Sequence, residues 1–176
     1  NLFGTHYRTV SEIALPTGRA LVSADLKRQG AGALITLAID GKPEIGAVAL
    51  PGLGLVLRTD QPGIVPPAPE KLRMVVSRTR PAREAVAIAE KLGAELVPMG
   101  SAGAKAMAVI LGDADIYLHS GGQYEWDSCA PVAVALAHGL HCSRIDGSPL
   151  VYNQAETYMP DLLICRTEHA AMVLAG

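Results

Sequence analysis

The stretch 100-GSAGAKAMAVILGDADIYLHSGGQYEWDSCAPVAVALAHG-139 decides the fold of this chain. Small and apolar residues at 101–112 predict a mostly buried helix, 114–120 predicts a strand, and 128–139 predicts a second helix. The flanking segments continue this alternation, with strands predicted at 72–80, 94–100 and 161–166 and helices at 81–93 and 167–175. Strands that alternate with helices predict an α/β layered core.

The first third of the chain has a different pattern. Residues 33–51 predict a β-hairpin, because two β-rich runs flank Asp40-Gly41 and Asp-Gly is a strong hairpin signal. Residues 52–60 predict a third antiparallel strand, whereas 22–30 fit a short helix or a loop. We therefore expect four parts: a divergent N-terminal segment at 1–30, an antiparallel hairpin layer at 31–60, a Pro-rich connection at 61–71 and an α/β part at 72–176.

The composition narrows the class of protein. The 176 residues are 49% hydrophobic and 18% charged, which predicts one domain with a real core rather than disorder. A net charge of -2 without a basic patch argues against a nucleic-acid polymer as partner. Cys129, Cys142 and Cys165 are odd in number and widely spaced, which indicates free thiols. With no signal peptide and no apolar run of about 18 residues, we expect a cytoplasmic protein without a membrane segment.

Two short stretches carry residues suited to an anionic ligand. Gly100, Ser101 and Ala102 join a strand to a helix, where small side chains and unpaired N–H groups can receive an anion. Ser77 and Arg78 leave the end of a strand, where ligands of α/β sheets gather and a guanidinium can hold phosphate. The alternatives are that Ser101 only caps its helix and that Arg78 is a solvated charge.

Trp126 and Asp127 mark the start of the second helix. An aspartate there can cap the helix and interact favourably with its dipole. Alternatively, its carboxylate points into a cleft and holds Mg²⁺, which prefers carboxylate, water and phosphate oxygens. We expect Trp126 to pack the helix start into the core. A single carboxylate does not build a metal site by itself.

These pieces occur together in an order that resembles the C-terminal half of the inositol monophosphatase superfamily. That pattern has Gly-Ser, an apolar helix, Gly-x-x-Asp, a strand and Trp-Asp-x-Ala-Ala, and Cys129 stands here where the first alanine is usual. With 75-VVSR-78 and 145-IDGSPLVYNQ-154, the chain is most similar to the 3'(2'),5'-bisphosphate nucleotidase branch. The resemblance covers about residues 31–170.

The resemblance implies a fold, a reaction and a site. The fold is an α/β layered sandwich that here lacks the N-terminal helical part of the family. The reaction is Mg²⁺-dependent hydrolysis of a small phosphorylated substrate, adenosine 3',5'-bisphosphate or its 5'-phosphosulfate relative, in sulfur assimilation. By the same resemblance Asp127 is a metal ligand, Gly100, Ser101 and Ala102 line the substrate pocket, and Ser77 and Arg78 lie near the nucleotide end. It assigns no catalytic residue.

The chain departs from the family upstream of the hairpin. The family has Asp-Pro-Ile/Leu-Asp-Gly-Thr there, whereas this chain has 14-ALPTGR-19, and Glu12 and Asp25 are the only acidic residues before the hairpin turn. An inositol monophosphatase, a non-catalytic relative that binds a nucleotide or a protein, and an unrelated α/β domain therefore stay open. A missing helical layer would also leave one apolar sheet face uncovered, which predicts a homo-oligomer.

Overall fold

A computed structural model describes the backbone of residues 20–26 and residues 33–176. Its strands form one four-stranded and one five-stranded sheet. The strands are β1 (Ala20–Leu26), β2 (Ala33–Ile39), β3 (Lys42–Leu50), β4 (Leu55–Arg58), β5 (Arg73–Ser77), β6 (Glu95–Met99), β7 (Ile116–Tyr124), β8 (His141–Ser143) and β9 (Tyr158–Cys165). The α-helices are α1 (Arg83–Leu92), α2 (Ala102–Leu111), α3 (Glu125–Ala137) and α4 (Ala170–Leu174), and short 3-10 turns span Pro51–Leu53 and Thr167–His169.

The first sheet is an antiparallel meander in the order β1-β2-β3-β4. Its predicted hairpin is confirmed, because Asp40 and Gly41 have φ angles of 49° and 79°, as a two-residue turn of type I′ requires. The interpretation of 22–30 as a helix or loop is wrong where β1 overlaps it. β1 pairs with β2 along its whole length, from Ala20 opposite Ile39 to Leu26 opposite Ala33. This long-range pairing overrides the weak local signal.

The second sheet has the order β6-β5-β7-β9-β8. β5 runs parallel to β6 and β7, and β9 lies antiparallel between β7 and β8. The carboxyl ends of β5 and β6 therefore meet at one edge, from which α1 and α2 begin. α1 ends at Gly93 in the left-handed conformation, as predicted from the sequence.

The main core lies between the two sheets. Leu34 and Val48 of the first sheet, Met107 of α2, Val132 of α3 and Tyr117 of the second sheet belong to one buried cluster. A second cluster joins the other face of the second sheet to α1 and α4. The layers are thus sheet, helices α2 and α3, sheet, and helices α1 and α4. This confirms the predicted layered α/β fold, with the outermost helical layer not present among the described residues.

Gly46 lets β3 approach α3 closely. A Cβ atom at this position would lie 2.8 Å from the Cβ of Ala133 and 2.9 Å from the carbonyl oxygen of Ala130. Two backbone atoms and a short side chain cannot rotate away, so only glycine fits without a shift of the helix. The first sheet and α3 therefore pack backbone to backbone at this point.

Asp115 is a buried anchor just before β7. Its carboxylate accepts the backbone N–H of Arg73 at 2.9 Å and the Nε–H of Arg166 at 3.0 Å. Two guanidinium groups thus flank one fully buried carboxylate. Removal of that carboxylate would leave buried positive charge without a partner, which is strongly destabilising.

Candidate functional site

Five of the predicted site residues come together at the carboxyl edge of β5 and β6. Ser77 pairs with Met99 in the parallel ladder, and the N–H of Arg78 donates to the Met99 carbonyl at 3.1 Å. The chain then continues from Met99 directly into Gly100, Ser101 and Ala102. The structure therefore brings the two predicted segments side by side, as the parallel topology requires.

Ser101 begins α2 in an unusual backbone conformation. Its φ of 63° lies in the region that favours glycine, and its Oγ accepts the N–H of Ala104 at 3.5 Å. The capping interpretation of Ser101 is thus confirmed. A non-glycine residue at positive φ costs about 1–3 kcal/mol and is concentrated at functional sites. The capping role and a role in ligand binding are compatible, because one side chain satisfies one of the free N–H groups of the first turn.

Asp127 lies in the first turn of α3 and is half-buried. Its Oδ2 accepts the N–H of Tyr124 at 3.0 Å, so it caps the helix as the sequence suggested. Its charge also acts on Lys105 of α2 and on Tyr117 and His119 of β7. The start of α2, which follows the Gly100–Ala102 segment, lies against α3 one turn after Asp127, because a Cβ atom at Gly103 would be 3.9 Å from the Cγ of Pro131.

Lys105 is a cation that the sequence analysis missed. It is only 4% exposed, and its Nζ lies 5.0 Å from the centre of the Tyr117 ring, a cation–π distance. Burial lowers the pKa of Lys105, and the negative charge of Asp127 partly offsets this effect. The signal in the sequence is a lysine within an otherwise apolar helix, 101-SAGAKAMAVIL-111.

His119 and Tyr117 extend this polar cluster along β7. Burial lowers the pKa of His119, and the positive charge of Lys105 acts in the same direction. Burial raises the pKa of Tyr117, although its hydroxyl accepts the side-chain N–H of Gln123 at 2.8 Å. Both groups are therefore held in their neutral forms at neutral pH.

A cavity of about 290 Å³ opens beside Ser77. Its wall includes Arg80, His119 and the pair Gly121-Gly122, both of which have positive φ angles where β7 bulges. A Cβ on either glycine would meet nothing within 4 Å, so the bulge leaves open space there. A ligand in this cavity would meet the positive charge of Arg80 and the titratable imidazole of His119.

The acidic residues that the structure describes do not by themselves fit a Mg²⁺ site. No group of three or more His, Cys, Asp or Glu residues with metal-binding geometry occurs among them. Asp127 contributes one carboxylate, and the neighbouring cation of Lys105 would repel a metal ion. Glu12 and the side chain of Asp25 lie outside the described residues.

Trp126 differs from the prediction. Its side chain is 43% exposed, and its ring stacks on Tyr124 with the centroids 4.5 Å apart. Trp126 therefore does not pack the helix start into the core. The residue that does so is Glu125, a buried acidic side chain that the sequence analysis missed.

Cys129 is buried, and its surroundings disfavour the thiolate form. Burial raises its pKa to about 11, and its Sγ lies 3.4 Å from the Oγ1 of Thr36. A thiol acts as a nucleophile through its thiolate, so a raised pKa argues against redox sensitivity at this position.

Comparison with known proteins shows which family the chain resembles. The model of the inositol monophosphatase family matches residues 29–175. The 3'-phosphoadenosine 5'-phosphate phosphatase of Mycobacterium bovis is 54% identical over 143 residues, which are 78% of this chain and 54% of that protein. The protein of the same name from Mycobacterium leprae is 52% identical over 141 residues, 77% of this chain and 52% of that protein.

The solved structures agree on the fold. The crystal structure of SaIMPase-II bound to inositol monophosphate superposes with a TM-score of 0.70 at 15% identity, covering 97% of this chain and 72% of that one. The chain spans about half the length of the curated relatives it matches. The family model matches far more than half of the chain. The chain therefore belongs to the inositol monophosphatase family.

Proposed function

We propose that the protein with this chain is a Mg²⁺-dependent phosphomonoester hydrolase of 3'(2'),5'-bisphosphorylated nucleotides that serves sulfur assimilation. The substrate to expect first is adenosine 3',5'-bisphosphate. The observation that carries the proposal is the 54% identity to the Mycobacterium bovis 3'-phosphoadenosine 5'-phosphate phosphatase. The arrangement of an acidic side chain, a helix N-terminus and a buried cation around one edge supports it.

In this proposal Asp127 is one ligand of Mg²⁺. When bound there, Mg²⁺ would supply a Lewis acid to stabilise negative charge on the phosphate. The other carboxylates that such a site needs must come from outside the described residues. No catalytic step is assigned to a particular side chain.

The substrate is held by groups of this chain. The N–H groups at the start of α2, next to Gly100, Ser101 and Ala102, favour a phosphate because the helix dipole and the free donors act together. Lys105 lies three residues after Ala102 in α2 and adds a positive charge within the first turn of the helix. The cavity beside Ser77 receives the nucleotide end of the substrate. Arg78 is the next residue of the chain, directly after the end of β5.

A second candidate function is a non-catalytic relative that binds a nucleotide or a protein. The observation in its favour is that the described residues contain no group of three or more His, Cys, Asp or Glu side chains that could hold a metal ion. Inositol monophosphate is the alternative substrate if the protein is a phosphatase. Both alternatives are decided by the same assay.

The test is phosphate release from adenosine 3',5'-bisphosphate and, in parallel, from inositol monophosphate, with and without Mg²⁺. Asp127→Asn is the matched control, because an amide oxygen can still accept the N–H of Tyr124. Mg²⁺-dependent release of phosphate from the nucleotide that Asp127→Asn abolishes would support the proposal. No release, together with nucleotide binding that does not require Mg²⁺, would favour the non-catalytic alternative.

We further propose that the protein is cytoplasmic and self-associates. Three free cysteines, Cys129, Cys142 and Cys165, suit a reducing compartment. None of the helices in the described part combines the length and apolar composition needed to cross a bilayer. The face of the first sheet opposite α3 presents Ile45 and Val56, which are 56% and 57% exposed. Sedimentation at micromolar concentration tests the association, and a monomer would contradict it.

A further inference from the structure

The first turn of α3 holds two acidic residues with opposite surroundings. Asp127 is half-buried, and its charge reaches Lys105 at the candidate site. Glu125 is 1% exposed and turns toward the segment that connects β8 to β9. Its Oε2 accepts the N–H of Asn153 at 2.8 Å, and its Oε1 accepts the N–H of Gln154 at 2.9 Å.

The N–H groups of Asn153 and Gln154 form a small anion-binding nest. Asn153 has a φ of 62°, a conformation that asparagine tolerates and that turns successive N–H groups toward one point. Both oxygens of the Glu125 carboxylate are bound there. The strained backbone of Asn153 is thus explained by the anion that it surrounds.

Two further bonds join this segment to α3. The N–H of Glu125 donates to the Thr157 carbonyl at 2.9 Å, and the hydroxyls of Ser128 and Tyr152 lie 3.1 Å apart. We call residues 152–157 the clamp segment. It contacts the first turn of α3 at the buried residues Glu125 and Ser128.

The helix itself holds this turn less firmly than usual. Pro131 lies inside α3 and has no N–H to donate to the carbonyl of Asp127, four residues earlier. One bond of the helical ladder is therefore missing at Asp127 itself. The bonds that Glu125 makes to the clamp segment take over part of the task of fixing the first turn.

We infer that Glu125 is a positioning residue for Asp127. Its carboxylate, bound in the nest, fixes the first turn of α3 and thereby the direction of the Asp127 carboxylate. The functional part of this inference rests on the proposed phosphatase activity. Groups that orient a metal ligand typically change affinity or activity by about 10- to 100-fold when removed.

The test is Glu125→Gln in the intact protein. Glutamine keeps the size of the side chain but presents an NH₂ group to one of the two N–H donors, so the nest cannot bind it fully. The matched control is Tyr152→Phe, which removes the bond to Ser128 at the same contact and leaves the nest intact.

The first readout is amide hydrogen exchange by NMR at Tyr124, whose N–H donates to Asp127. We expect Glu125→Gln to lower its protection by roughly tenfold or more, whereas the amides of β5 keep theirs. In Tyr152→Phe the protection at Tyr124 should stay within about twofold of the wild type. This readout does not depend on turnover.

The second readout is the kinetics of phosphate release at a temperature well below both melting points. We expect kcat to fall by about 10- to 100-fold in Glu125→Gln and to change little in Tyr152→Phe. Unchanged protection at Tyr124, or equal losses in both variants, would overturn the inference. If the wild type releases no phosphate, the proposed function fails, and the exchange experiment still decides the role of Glu125.

Discussion

Gly46→Ala tests whether the first sheet and α3 must touch backbone to backbone. The new methyl group would lie 2.8 Å from the Cβ of Ala133 and 2.9 Å from the carbonyl oxygen of Ala130. Carbon atoms pack best at about 3.5–4.0 Å, so α3 has to move by roughly 1 Å. Overpacking of this kind costs about 1–3 kcal/mol.

The assay is thermal unfolding followed by circular dichroism. For a chain of this size 1 kcal/mol corresponds to about 2–4 °C, so we expect Tm to fall by about 2–12 °C. The matched control is Gly52→Ala, where an added Cβ meets nothing within 4 Å. An unchanged Tm for Gly46→Ala, or an equal fall in the control, would refute the reasoning. Because α3 carries Asp127 in its first turn, the variant should also lose activity at temperatures where it is folded.

Three further outcomes follow from buried groups. Asp115→Asn should lower the free energy of unfolding by about 3 kcal/mol or more in urea titrations, because the Arg166 guanidinium stays buried. Exposed Asp60→Asn should not change it measurably. Burial raises the pKa of Cys129 to about 11, against a usual 9.0. At pH 8 iodoacetamide should therefore alkylate it about 100-fold more slowly in the native protein than in the urea-unfolded protein. Equal rates of labelling, followed by mass spectrometry, would contradict this. Folding lowers the pKa of His119, so the unfolded state takes up its proton first as the pH falls. The free energy of unfolding should therefore fall as the pH drops below about 6.5. His119→Gln should flatten that part of the pH profile, measured by urea unfolding.

The elements with strong local signals were predictable from sequence. Asp40-Gly41 located the hairpin turn, and Gly93 located the end of α1, because each residue supplies a backbone conformation that others avoid. The family was recognised from the order of motifs around Asp127, and the family match confirms it. The division into parts at 30, 60 and 71 and the roles of the site residues stay predictions.

The features that sequence reasoning missed depend on contacts with residues outside the segment that carries them. β1 is a strand because β2 pairs with it, and nothing within 22–30 signals this. Trp126 is exposed and Glu125 is buried in its place. The burial of this acidic side chain needs the N–H groups of Asn153 and Gln154, which lie in another part of the chain. Lys105 is buried over the ring of Tyr117, which belongs to another strand, and the charge of Asp127 favours its protonated form.

The hairpin turn has a consequence for the order in which the protein folds. The carbonyl of Gly41 accepts the N–H of Tyr152 at 2.9 Å, and Tyr152 begins the clamp segment. These two residues are very far apart in sequence, and contacts of this kind form slowly because a long loop must close first. The meander of the first sheet can assemble early from neighbouring strands, but Asp127 is fixed only when the late-synthesised clamp segment docks on both the hairpin and α3. Partly folded molecules should therefore have a formed first sheet and no functional site.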